Sequence, residues 1–226
     1  MEILRLSLIE GSKEAKGLTV VIDVFRAFTT AAVVMANGAD RIHPVGSLEE
    51  AFRLRELHPG WVLMGERDGK KVPGFDYGNS PYEVSKVDFT GRTVVQTTSA
   101  GTQGIVNARG ADEILLGSFV MADATVDYIH RKNPETVSLV AMGWGGRVKS
   151  PEDECLAEYI EKRLNGLEPD FASMKQRVRM HPQGAKFFDP GQPEFVEGDF
   201  HLAMDLNRYG FCLRVVPGEP PTVEKA

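Results

Sequence analysis

Cysteine is scarce: Cys155 and Cys212 are the only two in 226 residues, and no C-x-x-C or Cys/His zinc spacing occurs. That excludes a zinc ribbon and a thioredoxin-type dithiol. Long apolar runs are missing too. The longest, around Ala31 to Ala36, falls far short of the ~20 residues a bilayer-spanning helix needs. The opening MEILRLSLIEGSKEAKG lacks the basic stretch and apolar run of a secretory signal. A cytoplasmic protein is expected, without membrane association and without a Cys155–Cys212 disulfide. Positive charge is in deficit: 26 Lys and Arg face 32 Asp and Glu, a net charge of −6. An acidic surface disfavours nucleic acid and anionic lipid as partners, so an anionic ligand needs a local basic pocket. Neither G-x-G-x-x-G nor G-x-x-x-x-G-K-[ST] is present, which argues against a dinucleotide fold and a P-loop.

The hydrophobic fraction of 42% suffices for one large core, and no linker interrupts the chain, so residues 1–226 read as a single domain. Leu4, Leu6 and Leu8 alternate with polar residues, as in a half-buried strand, and 11–17 reads as a polar turn. LTVVID, Leu18 to Asp23, is a buried β-branched strand. Ala27 to Asn37 has helical spacing and stops at Gly38; Arg41 to Val45 is a short strand; Leu48 to Leu57 is a helix capped by Ser47. The segment TVVIDVFRAFTTAAVVMANGAD resembles TVVQTTSAGTQGIVNARGAD, and both continue into a strand, Gly-Ser and a helix. The sequence thus contains a repeat of strand, loop, helix, strand and helix over about 18–57 and 93–130. A weaker third copy begins at Val137. Such alternation predicts an α/β fold, a three-layer αβα sandwich with a mostly parallel or mixed central sheet. The loops after Ile22, Gln96 and Met142 are then expected to converge at one edge of the sheet, where ligands bind in such folds. Residues 62–84, dense in Gly, Pro, Asp and Asn, read as a long irregular active-site loop. Phe211 to Val216 reads as a last strand, with a frayed tail after it.

Asp23 ends a buried strand, where a carboxylate is placed to hold Mg²⁺, and the Arg26 guanidinium can grip a phosphate; the alternative is an internal Asp23–Arg26 ion pair. Thr98, Ser99, Gly101 and Thr102 lead into a helix start that can bind an anion or simply cap itself. In the irregular loop, Arg67 and Asn79 are candidate substrate contacts and Asp76 a candidate catalytic residue, as a second metal ligand or a group that orients water, with Asx turns as the alternative for Asp76 and Asn79. Glu152 and Asp153 open another predicted helix; they serve its dipole or complete a metal site with Asp23. Cys155, on the same helix, reads as a core residue.

Together these motifs resemble the 2-phosphosulfolactate phosphatase family. The resemblance rests on VIDVFRAFTTAAVVMANGAD, GERDGKKVPGFDYGNSP, VVQTTSAGTQGI, GSFVMADA and SPEDECLAEYI, from about residue 19 to 160. One departure is Ala100, where Asn is expected in the Thr-Thr-Asn-Gly-Thr pattern. The resemblance implies Mg²⁺-dependent hydrolysis of 2-phosphosulfolactate, a small phosphate ester, to sulfolactate, in coenzyme M biosynthesis. Asp23 is followed by Val24 and Phe25, so the D-x-D motif of aspartyl-phosphate enzymes is absent, and attack by water is the expected chemistry. A phosphatase for another small phosphorylated acid and a noncatalytic anion-binding protein are the alternatives. Whether the chain forms a homo-oligomer is open.

Overall fold

A computed structural model describes residues 1–226. Ten strands form one mixed sheet: β1 (Glu2–Ser7), β2 (Gly17–Ile22), β3 (Arg41–Pro44), β4 (Val62–Arg67), β5 (Lys70–Lys71), β6 (Thr93–Thr97), β7 (Ala111–Gly117), β8 (Thr136–Ala141), β9 (Leu213–Val216) and β10 (Thr222–Lys225). Their order is β1-β8-β2-β7-β9-β10-β3-β6-β4-β5. Interspersed are α1 (Leu8–Glu14), α2 (Ala27–Ala36), α3 (Leu48–Leu57), α4 (Pro81–Val84), α5 (Gly101–Asn107), α6 (Ala122–Lys132), α7 (Pro151–Leu164), α8 (Phe171–Met180), α9 (Pro182–Ala185) and α10 (Glu197–Ala203). No helix is long and apolar enough to cross a membrane.

Local chemistry explains the clearest elements. Ser47 accepts a hydrogen bond from the Glu50 amide at 3.1 Å and starts α3, a cap worth about 1 kcal/mol. α2 is apolar all round, and each of its residues from Ala27 to Met35 is buried. A helix without a polar face must be enclosed on every side. One core cluster accordingly joins α2 to Val21, Leu116 and Val140 from one half of the sheet and to Ile42, Met64 and Val94 from the other. A second cluster lies beneath α6, α7 and α8, and a smaller one beneath α3.

Strand direction departs from the expected single edge. β1, β8, β2 and β7 are parallel to one another, and so are β3, β6 and β4. The antiparallel pair β9–β10 stands between these groups, with antiparallel pairing on each side, so the two groups run in opposite directions. Asp23 and Ser99 therefore follow strands whose carboxyl ends lie at opposite edges. They still meet, with Gly101 packed on Asp23 and Gln96 Nε2 donating to Ala27 O at 3.0 Å. The seam between the two groups is a single residue pair, Val223↔Ile42.

Three further expectations need correction. Residues 11–17, expected as a turn, mostly belong to α1, which packs on α5 and buries Ser12 against Leu8 O and Met142 Sδ. The 62–84 stretch opens with a core strand, β4, paired with β6. Its glycine content misleads: Gly65 lies where the Thr97 carbonyl leaves no room for a Cβ. The tail, expected to fray, forms β10 and joins the two halves of the sheet.

Candidate active site

The ends of β2, β4, β6 and β8 open into one small cleft. Asp23 and Arg26 come from the loop after β2, Glu66 and Gly69 from the β4–β5 hairpin, Ser99 from the turn before α5, and Trp144 from the glycine-rich loop after β8. Asn79 and Phe195 complete the wall. The three loops converge, but from opposite edges of the sheet and not at the single edge expected.

Asp23 is 5% exposed and accepts a hydrogen bond from the Ala27 amide at 3.0 Å. Gly101 packs directly on it: a Cβ there would stand 2.8 Å from Asp23 Oδ2 and from Ala27 Cβ. Burial, aided by the nearby Glu66 charge, raises the Asp23 carboxyl to about 6, against the pull of the Ala27 and Gly101 amides and of Arg26. Burial likewise raises Glu152 to about 7, with the Asp23 charge adding to it. Glu152 is 4% exposed and lies behind the cleft wall; its own amide, the Ser150 hydroxyl and the Lys186 charge oppose the rise, but its Oε2 makes no hydrogen bond of ordinary geometry. An unpaired buried carboxylate oxygen is costly, and its persistence marks a place for a cation or a donor.

Asp153 has no such freedom. Its Oδ1 accepts from the Val24 amide and its Oδ2 from the Gly143 amide, each at 2.8 Å. It clamps the loops after β2 and β8, although burial and the charges of Glu152 and Asp23 push its carboxyl well above the usual range. No three Asp, Glu, His or Cys side chains are disposed to hold one metal together, so the expected Asp23–Glu152–Asp153 triad does not form. Asp23 and Glu152 still fit Mg²⁺, which needs only one or two carboxylates beside waters and phosphate oxygens.

Arg26 does not pair with Asp23. Its Nη1 donates to Asp199 Oδ2 at 2.8 Å and to Glu194 O at 2.7 Å, and its Nη2 to Gly69 O at 2.8 Å. Asp199 is fully buried and also accepts from Ser80 Oγ at 2.6 Å and from the Tyr82 amide at 3.0 Å. Nε and one Nη2 proton of Arg26 are left for a ligand.

The turn before α5 is closed on itself. The Thr98 amide donates to Thr102 Oγ1 at 2.9 Å, and the Thr102 amide donates to Thr98 Oγ1 at 3.1 Å. Glu66 Oε1 accepts from the Ser99 amide, and Glu66 Oε2 from the Gly69 amide, each at 2.7 Å. A carboxylate of the protein itself thus sits where an anionic ligand was expected. Ser99 and Asn79 line the cleft; Thr98 and Thr102 are buried behind it. Arg67 donates to Glu66 O and Thr97 Oγ1 and is not part of the wall. Asp76 stands outside the cleft, where it pairs with Arg55 and accepts from the Leu63 amide, so it anchors its segment to α3 and β4 and the expected place at the site is corrected.

Sequence reading missed Glu66, Asp199, Phe195 and Lys186. The Lys186 ammonium lies 3.9 Å from the centre of the Trp144 ring and 4.2 Å from that of Phe195. Burial lowers it to about 8, against the pull of Glu152, Asp23 and Glu66. No local pattern marks these residues; the Arg26–Asp199 bond spans 173 residues.

Residues 3–184 match the family model described as 2-phosphosulpholactate phosphatase. A probable 2-phosphosulfolactate phosphatase of Thermotoga petrophila is 43% identical over 145 residues, 64% of this chain and 61% of that protein. One from Bacillus subtilis is 31% identical over 92% of this chain and 91% of its own length. One from Caldicellulosiruptor saccharolyticus is 38% identical over 86% of this chain and 84% of its own.

Proposed function

The chain belongs to the 2-phosphosulfolactate phosphatase family, and from that premise we propose that its cleft hydrolyses 2-phosphosulfolactate to sulfolactate and phosphate with Mg²⁺ bound by Asp23 and Glu152. The observation that carries this reading is a buried acidic cluster, Asp23, Glu66, Glu152 and Asp153, in which Glu152 Oε2 has no hydrogen-bond partner and Glu152 makes no salt bridge, Lys186 attracting it only from farther off. An acidic cleft repels a multiply anionic ester unless a divalent ion intervenes. Mg²⁺ bound there supplies Lewis-acid polarisation of the phosphoryl oxygens.

The protein's groups do the rest. Arg26 is held rigid by Asp199, Glu194 O and Gly69 O, and its two free N–H groups face the equatorial oxygens, whose charge is stabilised through the transition state. Water attacks phosphorus and the ester P–O bond breaks. The attacking water loses its proton to solvent, and the departing 2-oxygen takes one up from solvent. Glu66 locks the Ser99 turn and the Gly69 hairpin, and Asp153 locks the loops after β2 and β8, so the four cleft loops keep one geometry.

The two runs β2-α2-β3-α3-β4 and β6-α5-β7-α6-β8 are copies of one unit in this reading. Exchanging β2, β3 and β4 with β6, β7 and β8 reverses their order in the sheet, as a two-fold axis through it requires. Their matching sequences support the same conclusion.

Phosphate release from 2-phosphosulfolactate, measured after chelation and after Mg²⁺ is restored, tests the proposal. Release that returns with Mg²⁺ supports it. Binding without turnover under both conditions refutes it in favour of an anion-binding protein.

A further inference from the structure

Three cations approach the cleft, and two of them are committed. Arg26 is neutralised by Asp199. Arg67 is turned onto Glu66 O and Thr97 Oγ1. Lys186 differs: it pairs with no carboxylate, and its one hydrogen bond goes to Gln183 Oε1 at 2.7 Å. Its ammonium stands over the faces of Trp144 and Phe195, two side chains that line the cleft. An ammonium held between aromatic faces keeps its charge at a smaller desolvation cost, and two of its three protons remain free. Glu152, Asp23 and Glu66 attract it from beyond salt-bridge distance, so its remaining protons are open to an anion of the ligand.

The reacting phosphoryl group already has Arg26, so the position left to Lys186 is that of an acid group that does not react. By its name, 2-phosphosulfolactate carries two of these, a carboxylate and a sulfonate. A planar carboxylate suits the planar fork of an arginine. A sulfonate is tetrahedral, weakly basic and has three equivalent oxygens, which match a rotatable point charge with three donors. Its weak hydration also suits the aromatic walls of Trp144 and Phe195. We propose that Lys186, framed by Trp144 and Phe195, is the residue that recognises the substrate's sulfonate and so sets the preference for a sulfonated acid. The inference rests on the phosphatase reading for its substrate; Lys186 and Phe195 lie outside the 3–184 stretch that the family match covers, and Trp144 lies within it.

Lys186→Met and Lys186→Gln remove the charge, the second keeping a hydrogen-bonding end; melting curves identify any variant that has not folded. Phosphate release is compared for 2-phosphosulfolactate and for 2-phospholactate, which has hydrogen in place of the sulfonate. A charged hydrogen bond lost at a half-buried site corresponds to roughly 30-fold, so the wild-type preference in kcat/KM for the sulfonated ester should fall by about that factor in both variants. An equal loss on both esters, or a preference that survives within about threefold, overturns the proposal. Calorimetric binding of sulfolactate and of lactate separates this claim from the phosphatase reading, because it needs no turnover. Wild type should favour sulfolactate and Lys186→Gln should lose most of that preference; equal binding of sulfolactate by both proteins refutes the role of Lys186 even if turnover is absent.

Discussion

The turn entering α5 and the first turn of α7 stand at the same cleft, each after a buried strand, and each carries polar residues of the kind that hold ligands. Their hydrogen bonds divide them. At α5, Thr98 and Thr102 satisfy each other, and Glu66 takes the Ser99 amide. At α7, Asp153 is likewise consumed by two backbone amides, but Glu152 beside it keeps a buried oxygen without a partner. Hydroxyls at α5 and a carboxylate at α7 are alike consumed by the backbone, so what separates a structural polar group from a functional one is unused hydrogen-bonding capacity.

The largest effect expected from this contrast is on turnover. Glu152→Gln and Asp23→Asn keep shape and remove the charges assigned to the metal, and each should lower phosphate release by about 100-fold or more, roughly 3 kcal/mol of transition-state stabilisation. Glu152→Gln should also raise the melting temperature of the metal-free protein, since it removes a charge that burial opposes. Steady-state kinetics and thermal melts read both. A variant as active as wild type would erase the distinction between the two turns.

Next comes Asp153→Asn, one residue away and opposite in sign. An asparagine can accept only one of the two amide protons and turns its own N–H₂ on the other, so stability should fall by about 2 kcal/mol in denaturant titrations. A variant as stable as wild type would show that the clamp between Val24 and Gly143 is dispensable. At α5, Thr98→Ala removes one cap acceptor and should cost about 1 kcal/mol, with phosphate release kept within about twofold. A fall in turnover of tenfold or more without a loss of stability would return Thr98 to the substrate site. The smallest effect belongs to Asp76→Ala, outside the cleft: about 1 kcal/mol or less in a melt, and no change in turnover.

The same contrast explains what was legible in the sequence. α2, α3, β2 and β3 could be read because their signals are local: Ser47 capping Glu50, Gly38 ending an apolar helix, a β-branched run ending at Asp23. The convergence of loops on one cleft was legible from the strand–helix alternation. The reason for it was not, because the opposed directions of the two strand groups are set by β9 and β10, which pair with strands about a hundred or more residues earlier. Asp23 and Arg26 were legible as cleft residues, whereas Arg26's partner Asp199 and the aromatic frame of Lys186 depend on packing between distant segments. Asp76 was misassigned for the converse reason: it lies in a polar glycine-rich stretch, but it is tied to the Leu63 amide at the start of β4 and to Arg55 of α3, away from the cleft.

The claim that Asp23 and Glu152 await a divalent cation is tested most directly by melting the chelated protein across pH, with and without Mg²⁺. In the folded state these carboxyls lie at about 6 and about 7, against roughly 4 in an unfolded chain. Between about pH 4 and pH 7 the folded protein holds protons that the unfolded chain has released, so the stability of the metal-free protein should fall as pH rises through that window. Mg²⁺ should then raise the melting temperature strongly at pH 7.5, where both groups are charged, and little at pH 5, and Asp23→Asn should lose most of the increase. A Mg²⁺ shift equally large in Asp23→Asn, or no shift in wild type at pH 7.5, would contradict the account.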